Sequence, residues 1–144
     1  MFKYRRLKDL REDRDYTQDY IANILKTNRS SYANWENGET LIPLDKLDQL
    51  SVFYNVPISY LLGIENNYNR YKNIGKMNYN LMLDKLNQLK DNLSLTYQEI
   101  GDYLKVSKST AYKYYEGQLI IPVNILILLG ELNKCDIDKL LGKL

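Results

Sequence analysis

The chain carries its own sequence twice. LKTNRSSYANW, from Leu25 to Trp35, lines up with LKVSKSTAYKY, from Leu104 to Tyr114. The offset between Leu25 and Leu104 is 79 residues, and it holds without a gap along both halves. It pairs Leu7 with Leu86, Leu10 with Leu89, Thr17 with Thr96 and Ile21 with Ile100. It continues through Gly38 and Gly117, Pro43 and Pro122, Leu47 and Leu126, Leu50 and Leu129, and Ile58 and Ile137. It ends on Leu-Leu-Gly at Leu61 to Gly63 and again at Leu140 to Gly142. Such a register constrains folding more than any local motif, because both halves must satisfy one architecture. The expected organisation is a first domain at 1–65, a linker at 66–79 and a divergent second copy at 80–144.

Within the first copy the apolar residues fall at helical spacing. Leu7, Leu10 and Arg11 share a face. Thr17 suits the N-cap of a helix beginning at Gln18, with Ile21, Ala22 and Leu25 on its inner side. After a break at 26–28, a helix over about 29–36 is expected to bury Tyr32 and Trp35. Asn37-Gly38 then stops it, since glycine tolerates the left-handed cap. Pro43 opens the next helix at its first position, with Leu44, Leu47, Leu50 and either Phe53 or Tyr54 as the apolar stripe. A short last helix runs from Ser59, a candidate cap, to Leu62. The second copy repeats this order from Leu83 to Gly142. Alternating strand patterns are absent, so the expected fold is all-α, with about five helices per copy.

Composition narrows the function classes. The 144 residues suit one ordinary domain or two very small ones. There is no histidine and a single cysteine, Cys135. That inventory excludes the usual zinc sites, nucleophile–histidine catalysis and an internal disulfide. Neither an enzyme nor a cofactor is expected. No apolar run reaches the roughly 18 residues of a membrane span, and the charged start lacks a signal peptide's apolar stretch. A cytoplasmic location is expected. Net charge is only +2, so distribution matters more than the total. Lys3, Arg5, Arg6, Lys8, Arg11 and Arg14 crowd the N-terminus. The linker interleaves Tyr68, Tyr71, Arg70, Lys72 and Lys76, a pattern compatible with a plain tether or with contact along phosphates. The 14 tyrosines and frequent asparagines are consistent with an AT-rich genome.

The informative spacing lies in the second and third helices of each copy. A short helix, a three- or four-residue turn and a polar-faced helix make the helix-turn-helix layout. Ala22 is small where the two helices cross, and Ile21, Leu25, Tyr32 and Trp35 can form the wedge that sets their angle. Asn28, Arg29, Ser30, Ser31, Ala33 and Asn34 then face outward. Arginine can grip guanine O6 and N7 with two donors, and asparagine can do the same for adenine N6 and N7. Thr17 and Gln18 sit at a helix N-terminus suited to a phosphate.

With these elements the first copy resembles the lambda-repressor-like, Cro/C1-type helix-turn-helix family. The resemblance rests on Thr17-Gln18, Ala22, the Trp-Glu-Asn-Gly run at 35–38, Pro43 and the closing Leu-Leu-Gly. It implies a five-helix DNA-binding domain of a transcriptional regulator, usually a homodimer on a palindromic operator. By position it implies a phosphate contact for Gln18, base-facing roles for Arg29, Ser30 and Asn34, and groove-edge places for Asn28 and Ser31. It also implies an internal ion pair between Arg11 and Glu36. Lys26-Thr27 departs from the family's turn, where a small residue or glycine precedes valine. A left-handed lysine there costs about 1 kcal/mol.

The second copy departs where it matters. Tyr97 stands for Gln18, Lys90 for Arg11, Tyr115 for Glu36, Ala111 for Tyr32 and Tyr112 for Ala33. Lys108 stands for Arg29 and Lys113 for Asn34, beside Ser107 and Ser109. Lysine is a point charge without a fork and favours phosphate over base edges. Two readings stay open: both copies bind DNA, the second less specifically, or the second has turned to dimerisation or partner binding. The apolar run Val123, Ile125, Leu126, Ile127, Leu128, Leu129 exceeds a single stripe and suggests a face covered by another surface. The expected function is a sequence-specific repressor on double-stranded DNA, from a phage, mobile element or low-GC bacterium. The alternative is a factor whose residues 80–144 bind a host protein, for example a defence nuclease.

Overall fold

A computed structural model of the chain describes residues 4–66 and 73–144. Lys3, Tyr68, Arg70, Tyr71 and Lys72, named above for their charge or aromatic character, lie outside them. The described residues are helical, with no strand among them. They form two compact units, Met1–Lys76 and Met77–Leu144.

In the first unit the helix ends follow the side chains. Helix α1 (Arg5–Asp13) buries Leu7 and Leu10. Helix α2 (Gln18–Ile24) starts at Thr17, whose hydroxyl accepts the Tyr20 amide. Helix α3 (Arg29–Asn37) ends on Gly38 at φ 79°, a left-handed cap that a Cβ would strain. Helix α4 (Leu44–Tyr54) buries Leu44, Leu47, Leu50 and Tyr54. That settles the stripe on Tyr54, while Phe53 stays 38% exposed. Pro43 is the cap residue rather than the first helical one. Helix α5 (Ile58–Leu61) is preceded by Pro57, and Ser59 lies buried inside it instead of capping it.

These helices enclose a core of Leu7, Ile21, Leu25, Tyr32, Leu47, Leu50, Ile58 and Leu61. Lys26 closes the turn after α2 at φ 56°, the left-handed position expected of it. Lys46 of α4 sends Nζ to the Leu25 carbonyl at 2.7 Å, so the end of α2 is held by the scaffold behind it. Arg6 lies over the Tyr60 ring and donates to the Tyr60 carbonyl at 2.7 Å, tying α1 to α5. Trp35 is only half-buried, contrary to its expected core place. The face that α3 turns inward carries Tyr32 and Glu36, one full turn apart, and both are buried. Part of the expected linker also belongs here: Ile74 is buried, and its amide donates to Asn55 Oδ1 at 3.0 Å.

The second unit contains α6 (Tyr79–Asn92), α7 (Tyr97–Leu104), α8 (Lys108–Tyr115), α9 (Val123–Asn133) and α10 (Ile137–Leu140). Each of α7 to α10 begins 79 residues after its counterpart among α2 to α5. The left-handed positions recur at the same offset: Asp15 and Ser94, Lys26 and Lys105, Gly38 and Gly117, Asn55 and Lys134, Gly63 and Gly142. Gly101 replaces Ala22 where α7 and α8 cross, and a Cβ there would meet the Val106 carbonyl oxygen at 2.9 Å. Helix α6 reaches further back than α1 because Asn78 caps it, accepting the Leu81 amide.

The apolar run of α9 is mostly absorbed inside its own unit. Val123, Ile125, Leu126 and Leu129 are buried, and Ile127 and Leu128 half-buried. Ile125 and Ile127 stand where the first unit has Lys46 and Asp48, so a polar inner face has become an apolar one.

Candidate nucleic-acid interface

The outward side of α2 and α3 depends on what is fixed beneath it. The Glu36 side chain is 2% exposed and that of Arg11 12%. Arg11 Nε donates to Glu36 Oε2 at 2.9 Å and Nη2 to Oε1 at 2.8 Å, a two-point clamp. Arg11 Nη1 also donates to the Tyr16 carbonyl at 2.9 Å. Burial alone would raise the Glu36 pKa. The Arg11 hydrogen bond, the Tyr32 hydroxyl and the Arg11 charge outweigh it, so the carboxyl sits below its ordinary value. The Glu36 hydrogen bond raises the Arg11 pKa. Burial, then the Glu36 carboxylate, pushes the Tyr32 phenol well above its usual range. The pair that the resemblance implied is therefore present, and it ties α1 to the inner face of α3.

On this base the expected contact residues take different places. Arg29 and Ser30 are exposed at the start of α3. Thr17, Gln18 and Arg29 line one open cleft of about 380 Å³ together with Arg11 and Asp19. Gln18 is half-buried, and its Nε2 donates to Glu36 Oε1 at 3.4 Å, so the amide is oriented by the ion pair. Asn28 is different, because its Oδ1 accepts the Ser31 amide at 2.7 Å, which makes it the N-cap of α3. Ser31 and Asn34 are half-buried along the helix. Asp19 in the cleft wall is not among the expected residues. Its only sequence signal is an acid in the first turn of a helix, where the dipole alone accounts for it.

The matching surface of the second unit is built from other chemistry. Lys90 Nζ lies 4.4 Å from the centre of the Tyr97 ring, at the positions where Arg11 and Gln18 of the first unit each bond Glu36. Tyr97 packs edge-on to Tyr112 at 5.3 Å and to Tyr115 at 6.0 Å. Ala111 and Tyr115 are buried, so the tyrosine under α8 has moved one turn from the place Tyr32 occupies under α3. Burial pushes the Tyr115 phenol up to about 12. Ser107 is the N-cap of α8, accepting the Thr110 amide at 3.0 Å and donating to the Thr110 hydroxyl at 2.9 Å. Lys108, Ser109 and Lys113 are exposed, and Tyr112 is 43% exposed beside them.

Comparison with known proteins places the first unit. A helix-turn-helix domain family matches residues 4–67. The cryptic phage CTXphi transcriptional repressor RstR of Vibrio cholerae is 33% identical over 58 residues, 40% of this chain and 52% of its own. The HTH-type transcriptional regulator YobD of Bacillus subtilis is 36% identical over 59 residues, 41% and 53% respectively. The chain thus spans about half the length of these two relatives. The HTH-type transcriptional regulator ImmR of Bacillus subtilis is 30% identical over 104 residues, 69% of this chain and 76% of its own. No solved structure gives a significant match. Among the described residues, no helix is long and apolar enough to cross a membrane.

Proposed function

The chain belongs to the XRE-type helix-turn-helix regulators, and from that premise we propose that it is a sequence-specific repressor inserting α3 into the major groove of double-stranded DNA. One observation carries the proposal. The inner face of α3 is locked by Tyr32 and Glu36, while Arg29 and Ser30 are exposed at the N-terminal end that enters the groove. Arg29 supplies the two-donor fork for guanine, Ser30 and Asn34 adjust to neighbouring bases, and Thr17 and Gln18 face a phosphate beside the cleft. Asn28 and Ser31 serve by shaping the start of the helix. A phage, mobile-element or low-GC bacterial origin, a cytoplasmic homodimer and a palindromic operator complete the reading. The repressor role is supported by the likeness to the Vibrio phage repressor.

The test is a gel shift at fixed salt on a duplex recovered from a random pool. Arg29→Ala is expected to weaken binding to that duplex by about 1–3 kcal/mol. Unchanged affinity would remove α3 as the reader.

A second reading, that residues 80–144 dock a host protein, is favoured by Leu119 and Ile120, which are 42% and 69% exposed in the loop before α9. A pull-down with the full chain and with Ile120→Ser separates it from the first.

A further inference from the structure

We propose that the outward face of α8 is a second DNA contact, one that grips phosphates without reading sequence. It extends the reading of α3 as the reader and assigns a role to the other unit. Lys105, Lys108 and Lys113 are all exposed there, and none has an ion pair among the described residues. Three uncompensated cations along one helix and its preceding turn complement a polyanion. The exchange of residue types points the same way. The two positions that in α3 carry forked, base-matching groups, Arg29 and Asn34, carry lysine in α8. An ammonium recognises a phosphate as a charge and has no planar fork to match a base edge.

The tyrosines explain why this face holds the backbone rather than the bases. Tyr112 stands where α3 has the small Ala33, and it is 43% exposed. Its ring is braced edge-on by Tyr97, 5.3 Å away, in the position of Gln18. A ring projecting from the middle of the helix holds the helix axis further from the base edges than alanine does. Lysine stems of four carbons still span that distance to the phosphates. At the start of α8 the Ser107 hydroxyl is already engaged with the helix itself, while Ser109 is exposed. Ser107 donates to the Thr110 hydroxyl and accepts its amide, at 2.9 and 3.0 Å. Glu116, exposed at the far end of the helix, limits the contact to the first two turns.

The experiment uses the full chain and fluorescence anisotropy from 50 to 200 mM NaCl. The probes are a duplex recovered from a random pool and a scrambled duplex of the same length and composition. For Lys105→Ala/Lys108→Ala/Lys113→Ala, affinity is expected to fall by the same factor on both duplexes. The slope of log affinity against log salt is expected to fall by about 0.9 per lost phosphate contact. With three contacts, about 40-fold of the affinity lost across that salt range belongs to these lysines. The milder Lys108→Gln/Lys113→Gln, which keeps polarity, is expected to show about two-thirds of that slope change. Wild-type affinity and slope on both duplexes would overturn the proposal and leave the face to a protein partner. So would a loss confined to the recovered duplex, which would mean that α8 reads bases. Arg29→Ala, run in parallel, is expected to affect the recovered duplex alone. Its silence would overturn the reading of α3 while an effect of the lysines still upheld the clamp.

Discussion

Removing Arg11 should damage the first unit far more than removing Arg11 and Glu36 together. At the usual 0.05–0.15 kcal/mol per residue, the stability of a 76-residue unit is about 4–11 kcal/mol. Arg11→Met strands a carboxylate whose side chain is 2% exposed, and orphaning a buried charge costs about 3–5 kcal/mol. Glu36→Gln is milder. Arg11 keeps the Tyr16 carbonyl at 2.9 Å, and the loss is that of charge-assisted hydrogen bonds, about 1.5–3 kcal/mol. Arg11→Met/Glu36→Leu buries no charge and should cost only about 0–1 kcal/mol. The second unit supports this, since it has Lys90 and a fully buried Tyr115 at these places and keeps the same helix order. Urea unfolding followed by tryptophan fluorescence measures it. The chain has one tryptophan, Trp35, and it lies on α3, so the signal reports the first unit alone. With Glu36→Leu as the second single variant of the cycle, the coupling between the two positions should be at least about 2 kcal/mol. The reasoning fails if Arg11→Met costs under about 1 kcal/mol, or if the double variant loses the sum of the single ones.

Acid should act through the same carboxylate. The Glu36 pKa is lower folded than unfolded, so its contribution is complete above the unfolded value near 4.3 and is lost as pH falls through the folded one. The stability gap between wild type and Glu36→Gln is therefore expected to be constant above about pH 5 and to close in more acid buffer, and a gap independent of pH would contradict this. In the second unit, Gly101→Val forces branched carbon toward the Val106 carbonyl oxygen, which would lie only 2.9 Å from the new Cβ. A loss of about 1–3 kcal/mol is expected, seen by circular dichroism with the Trp35 transition unmoved.

Most of the backbone is readable because its punctuation is local. Thr17, Gly38 and the prolines act within one turn of where they stand, and the helix starts follow them. What cannot be read depends on distant partners or on residues with two uses. Trp35 and Glu36 both lie at helical spacing from Tyr32, and spacing alone does not choose between them; the Arg11–Glu36 pair comes only from the resemblance, and Arg11 is 25 residues away. Asn28 suits a base edge and a helix cap alike, and only the structure shows that its Oδ1 accepts the Ser31 amide as the cap. Ser59 has a cap's chemistry, yet Pro57 takes over the turn before α5. The run in α9 reads as a surplus face because the loss of the polar residues matching Lys46 and Asp48 lets its own unit take in more carbon.

The tyrosines near the start of each unit show how a repeat can be mended out of register. Tyr4 is buried, and its hydroxyl meets the backbone of Ile42. The residue 79 positions on is Leu83, which has no hydroxyl, yet the Ile121 amide still finds a phenol, that of Tyr79, at 3.1 Å. Tyr79 comes four residues earlier, so the extra turn of α6 brings its ring to the same slot. The need belongs to a backbone amide that burial would otherwise leave unsatisfied, and whichever side chain reaches it will serve. The 79-residue offset would match Tyr4 with Leu83, whereas the atom being served matches it with Tyr79. Substitutions at the offset-matched position of one half therefore have no fixed meaning for the other.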